Sequence, residues 1–336
     1  MKDLTKGNPI TLILQFAIPI GIGKIFQLFY NLADTRIIGS CLGEDALASV
    51  GLTNSLNSLI IGFLTGMTDG FAIIVARRFG SKDEDELKNA VAHTIVLGIL
   101  TSILLTCFSV FFLRDILLFL NTPDDLLRDA MVYFQIILFG LTASMFYNIA
   151  SAVLRSIGDT VTPLCFLITS TICNVLLDLL FIFLFHAGVK GVALATVFSQ
   201  ALSALACIVY AWLRYPLLRL RKQDFHLTVE SMKEMYAIGC SMGLMSCFIN
   251  IGSVALQTRI NTFGNNTIVA HTAARRLTGF FMLPFTVLST SMTTYCSQNL
   301  GAGKVDRIKK GIRSSLMIAF VWCAAVVLIT YTLASL

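Results

Sequence analysis

Nine apolar stretches run through the chain, at about 10–38, 46–76, 89–113, 131–154, 161–186, 191–213, 234–257, 267–296 and 312–334, with polar connections between them. Each is near the ~20 residues that a helix needs to cross the hydrocarbon core of a bilayer. In lipid every backbone N–H and C=O must be satisfied within its own segment, so stretches of this length become helices. The chain is therefore read as an all-α membrane protein, a polytopic helical bundle. Its composition agrees. Only 13% of its residues are charged and 56% are hydrophobic, whereas soluble domains carry about 25% charge.

The basic residues are unevenly distributed over the connections. With the N-terminus inside, 17 of the 25 Lys and Arg fall on the cytoplasmic side, 5 fall outside, and Lys24, Arg275 and Arg276 lie within spans. That asymmetry predicts a cytoplasmic N-terminus in a multi-pass protein of the cell membrane. The opening MKDLTKGNP is short and polar, unlike a cleaved leader. The nine cysteines are scattered without a CxxC pair, as expected of small apolar packing residues. The basic residues form no basic-aromatic array, so no nucleic-acid partner is expected. Neither is an enzyme: His93, His186, His226 and His271 have no metal-ligand spacing, and no nucleophile motif occurs.

An internal repeat divides the chain. Arg78-Phe79-Gly80-Ser81-Lys82 aligns with Asn299-Leu300-Gly301-Ala302-Gly303 at an offset of 221, and Asp34-Thr35-Arg36-Ile37 with Gln257-Thr258-Arg259-Ile260 at 223. Copies six spans apart share one orientation, which makes a parallel repeat about an axis along the membrane normal. The expected organisation is a six-helix N-terminal lobe over 1–225, then three helices of a second, parallel-repeat lobe over 226–336. A complete pair of copies would need roughly 440 residues on that logic, so the chain reads as part of a twelve-helix protein.

Four polar residues stand in the first stretch. Lys24, Gln27, Asn31 and Asp34 are spaced three, four and three apart, so they share one helix face. A carboxylate in hydrocarbon costs at least ~2.5–3.5 kcal/mol on insertion scales, and such groups normally face a bundle interior or a watery cavity. In the fifth stretch Asn174 and Asp178 are four apart, as are Thr196 and Gln200 in the sixth. Asp34, Asn174, Asp178 and Thr196 offer carboxylate, amide and hydroxyl oxygens, the donors that a hard cation such as Na+ prefers. Two carboxylates held close also suit proton exchange. The same groups can alternatively serve as packing bonds between helices. Pro19 removes a backbone bond inside the first span and is a candidate hinge. Gln27, Tyr30, Asn31, Met145, Asn148 and Gln200 are candidates to line a substrate cavity.

FAIP and NLADTRIIGSCLG in the first span, ARRFGSKDEDELKNA after the second, LRSIGDTVTP, NVLLDLLF, GVKGVALATVFSQ, MLPF and SQNLGAGKVDR follow in order. With these pieces the chain resembles the multidrug and toxic compound extrusion (MATE) family of antiporters. The resemblance implies two six-helix lobes around a cavity that opens alternately to either membrane face. It implies export of small organic, often cationic, compounds driven by Na+ or H+, with no cofactor beyond that coupling ion. The family's cation site falls on Asp34, Asn174, Asp178 and Thr196. The alternative kept open is a lipid-linked precursor flippase of the same superfamily, for which basic groups such as Lys24, Arg275 and Arg276 would face the cavity.

Overall fold

The computed structural model describes residues 2–120, 122–226 and 228–334. Ten α-helices and no strand occur among them: α1 (Pro9–Leu42), α2 (Glu44–Ser81), α3 (Glu84–Phe119), α4 (Asp124–Phe139), α5 (Leu141–Ser156), α6 (Val161–Leu179), α7 (Gly188–Arg214), α8 (Val229–Ile260), α9 (Asn265–Gly301) and α10 (Val305–Ala334). Seven are long and apolar enough to cross a membrane, and α4 and α5 taken together as one bent pair meet the same measure. The helix α9 is long enough at 37 residues but does not meet the same apolar criterion. Arg275, Arg276 and its many Ser and Thr side chains lower its hydropathy, so the expected span at 267–296 is a helix of mixed character.

The expected fourth span is two helices bent by 44° at Gly140. Backbone bonding carries through the bend: Gly140 N–H donates to Ile136 O and Ser144 N–H to Gly140 O. A side chain at Gly140 would overlap Val197, so the bend lets α7 approach the backbone there. Local signals set other helix ends. Asn8 caps α1, its side chain accepting from Ile10 N–H at 3.0 Å, with Pro9 as the first helical residue. Asp83 caps α3 by accepting from Glu86 N–H at 3.0 Å.

One buried cluster runs through α1 to α5 and α7 and reaches Met235 of α8, with Leu64, Met67, Phe71, Leu117, Phe134 and Leu154 among its most buried members. The outward faces are apolar as well: Phe111, Phe320 and Tyr331 are each at least 75% exposed, as a lipid-facing surface demands. The two halves meet through α2. A Cβ on Gly70 would lie 2.6 Å from Gly239 Cα, and one on Gly66 2.6 Å from Met242 O. Glycine spaced at four on both helices lets their backbones touch, as in small-xxx-small membrane packing.

The bundle closes at the end that carries most of the basic residues. Here Lys2–Gly7 lies across both halves as a strap. Leu4 N–H donates to Gln298 Oε1 at 3.0 Å, and Gln298 Nε2 donates to Ser156 O at 2.7 Å. Lys304 Nζ donates to Thr5 O at 2.8 Å and Arg307 Nη1 to Gly7 O at 3.0 Å. Leu4 is buried with Ile13, Phe16 and Tyr295 in a second small core.

Candidate functional site

Above this closure lies a cavity of about 780 Å³ bounded by α1, α2, α4, α5, α6 and α7, with Thr290 of α9 at its edge. Lys24, Gln27, Asn31 and Asp34 all line it, so the polar stripe of α1 faces inward as its spacing requires. Tyr30, Asn148 and Gln200 line it too. Met145 does not. It is 1% exposed, and its end reaches the backbone of Gly98 on α3. One residue round the helix from Ser144 is enough to turn it from the cavity into the core, which corrects its assignment to the cavity wall. Arg275 and Arg276 are exposed and do not line the cavity; Arg275 Nη1 donates to Ser253 O and Gln257 Oε1 on α8, each at 3.5 Å.

Asp34 stands at the cavity wall, with Asp178 fully buried behind it. The two carboxyl groups are within hydrogen-bonding reach of each other. Two carboxylates at that separation repel unless a proton or a cation lies between them. Asp34 Oδ1 and Asp178 Oδ1 are both buried, and neither accepts a bond from a backbone amide, hydroxyl or amide side chain among the described residues. Asn174 is 1% exposed. With its amide nitrogen toward α6, it donates to Asp178 Oδ2 at 3.2 Å and accepts from Thr196 N–H at 3.3 Å. Thr196 Oγ1 donates to Val192 O at 3.1 Å and lies beside the Tyr30 hydroxyl. Four expected residues from α1, α6 and α7 therefore meet at one point. The unpaired carboxylate oxygens with the amide and hydroxyl make a donor set that fits Na+ or a proton. No group of three or more His, Cys, Asp or Glu side chains that could hold a metal occurs among the described residues.

Local backbone helps to place Asp178. The α-helix gives way two residues later to a π-helical turn, Leu180–Leu184, a distortion frequent at functional sites. On α7, Gln200 Oε1 accepts from Ser144 Oγ, and Ser199 O accepts from Ser170 Oγ at 3.1 Å. These bonds tie α7 to α5 and α6 beside the acids. Pro19 also lines the cavity, and α1 continues as a helix through it.

A second charged group escaped the sequence reading. Asp69 of α2 and Arg155 of α5 pair at 3.0 Å in the cavity, and Arg155 Nη1 donates to Ser151 Oγ at 2.8 Å. By sequence Arg155 falls in the polar connection RSIGDTVTP after the fourth stretch. It belongs to the last turn of α5 and turns inward. The signal was present in the second stretch, where Asn54, Asn57, Thr65 and Asp69 all line the cavity at helical spacing.

Comparison with known proteins gives a consistent picture. The family described as MatE matches residues 19–180 and 241–336. The probable multidrug resistance protein YpnP of Bacillus subtilis is 28% identical over 309 residues, covering 91% of this chain and 68% of its own length. The multidrug export protein MepA of Staphylococcus saprophyticus is 22% identical, with 94% of this chain and 71% of its own covered. Among solved structures, the outward-facing conformation of a multidrug resistance MATE family transporter superposes with a TM-score of 0.88 at 26% identity, covering 97% of this chain and 73% of that one.

Proposed function

This chain belongs to the MatE family of membrane transporters, which are not enzymes, and from that premise we propose that it exports small organic compounds by cation-coupled antiport. The observation that carries the reading is Asp34 at the cavity wall within hydrogen-bonding reach of Asp178. A Na+ ion or a proton between these acids cancels their repulsion, and Asn174 and Thr196 complete its shell. The cation enters from outside, favours one packing of α1 against α6 and α7, and so favours substrate release. Its loss to the cytoplasm resets the site. Such coupling requires that the cation bind one state more tightly than the other. Pro19 is where α1 lacks a backbone bond and can change its bend.

The excess of Lys and Arg in the connections on that side supports a cytoplasmic strap and closed end, and on this reading the cavity opens outward. Residues 1–225 act as one six-span lobe and 226–336 as three helices of a second, a division supported by the 221-residue repeat. The names of the relatives support export of drug-like compounds. They lend no support to the flippase alternative.

The test is ethidium efflux from cells stripped of their own pumps, then from proteoliposomes with Na+ and proton gradients imposed separately. Asp34→Asn should reduce gradient-driven efflux to background at unchanged protein level. Efflux at the wild-type rate would refute the coupling role of Asp34.

A further inference from the structure

The cavity is electrically polarised along its length. Its charged side chains are Lys24, Asp34, Asp69 and Arg155. Asp69 and Arg155 pair at 3.0 Å and neutralise each other. Lys24 is exposed to the cavity and forms no ion pair or hydrogen bond among the described residues, although Asp69 and Arg155 are both near enough to act on it. One positive charge is thus left at this end. Asp34 lies ten residues further along α1, about 15 Å away at the rise of an α-helix. The aromatic ring of Tyr147 lines the same end, close to Arg155.

We infer that the cavity takes aromatic amphiphiles bearing an oxyanion, the anionic group on the Lys24 ammonium and the ring system against Tyr147. The inference rests on reading this cavity as the substrate site. A cation placed there meets uncompensated positive charge, whereas a carboxylate or phosphate meets a charge-assisted donor in the Lys24 ammonium. The low dielectric of the cavity walls strengthens that preference relative to water. Lys24 is then a specificity residue, separate from the acids that carry the coupling cation.

The test uses the purified chain in dodecyl maltoside micelles, with fluorescence anisotropy titrations at constant ionic strength. FMN and riboflavin share one ring system and differ by a phosphate; ethidium is the cationic probe. FMN should bind at least tenfold more tightly than riboflavin. Lys24→Gln, and Lys24→Met as a second neutral variant, should remove that difference while ethidium binds as well or better. Lys24→Arg should keep it. Equal affinity of FMN and riboflavin for the wild type, with ethidium bound, overturns the inference and leaves the cavity reading intact. A tenfold preference that survives in both neutral variants also overturns it. Binding of none of the three probes overturns both.

Discussion

Gly80 and Gly301 hold equivalent places in the two copies of the repeat, and each lies against the other copy. A side chain on Gly80 would overlap the Gln298 carbonyl, and one on Gly301 would overlap the Arg77 carbonyl. Arg77 and Gln298 are themselves 221 positions apart. The ends of α2 and α9 therefore meet in a contact with approximate two-fold symmetry, backbone on backbone, which only glycine permits. The strap lies over this contact, with Gln298 bonded to both Leu4 and Ser156.

Gly80→Ala should force these two helix ends apart. Overpacking of this kind typically costs about 1–3 kcal/mol, so thermal unfolding of the purified protein should begin at a lower temperature. Gly279 of α9 has no neighbour within 4 Å of a built Cβ. Gly279→Ala should instead leave stability unchanged or raise it by up to about 1 kcal/mol through helix propensity. Equal melting of the two variants would contradict the close-contact account.

Asp178→Asn should separate stability from transport. Replacing one of two adjoining buried acids removes a desolvation cost and a like-charge repulsion. Stability in detergent should rise by about 1–2 kcal/mol, read from the shift of the melting curve. Gradient-driven ethidium efflux should fall to background. A stabilised variant that still transports would show that the pair is packing rather than coupling machinery.

Arg155 and Asp69 should behave as a coupled pair. Their side chains are 20% and 32% exposed, so the bond is partly screened by water. A double-mutant cycle with Arg155→Gln and Asp69→Asn should give a coupling energy of about 1 kcal/mol. Additive single effects would mean that the ion pair contributes nothing to the fold.

Tyr215 donates its hydroxyl to Asp159 Oδ2 at 2.7 Å, and Asp159 also accepts from Val161 N–H, Thr162 N–H and the Thr162 hydroxyl at the start of α6. Burial, with the Asp159 bond and its charge, pushes the Tyr215 hydroxyl well above the ordinary tyrosine range. Its protonated form is thus favoured by folding. The stability this contributes is complete below about pH 10, where the unfolded chain also holds the proton. It is lost as the pH rises above that value toward the folded pKa. Chemical denaturation at pH 8 and pH 11 should show Tyr215→Phe less stable by about 1 kcal/mol at pH 8. The difference should shrink at pH 11. A constant difference would exclude this linkage.

Much of the candidate site was legible because helical spacing is a local property. The three-four-three stripe of α1 points into the cavity, as do Thr196 and Gln200 four apart on α7. Asn174 and Asp178 share a face by the same arithmetic, and that face is buried behind Asp34. Met145 was misplaced because a one-position shift turns a side chain by about 100° on a helix of 3.6 residues per turn, and sequence spacing does not say where the cavity edge falls. Asp69 stands alone as an acid within the second stretch and obeys the rule applied to Asp34. Its partner Arg155 lies 86 positions away, a separation that no periodicity reports.

What the sequence alone determined is that the chain is built of apolar helices long enough to cross a membrane, and the faces on which their polar groups gather. These follow from hydrophobic period and backbone satisfaction in lipid, both read within one segment. Only the tertiary structure decided that Asp34 reaches Asp178, that Lys24 is left without a counter-ion in contact, and that Gly80 and Gly301 interlock under the strap. Asp34 and Asp178 are 144 positions apart in the chain, and Gly80 and Gly301 are 221 apart. Such relations arise from how helices cross and pack, where single atoms such as a missing Cβ set the distance of approach.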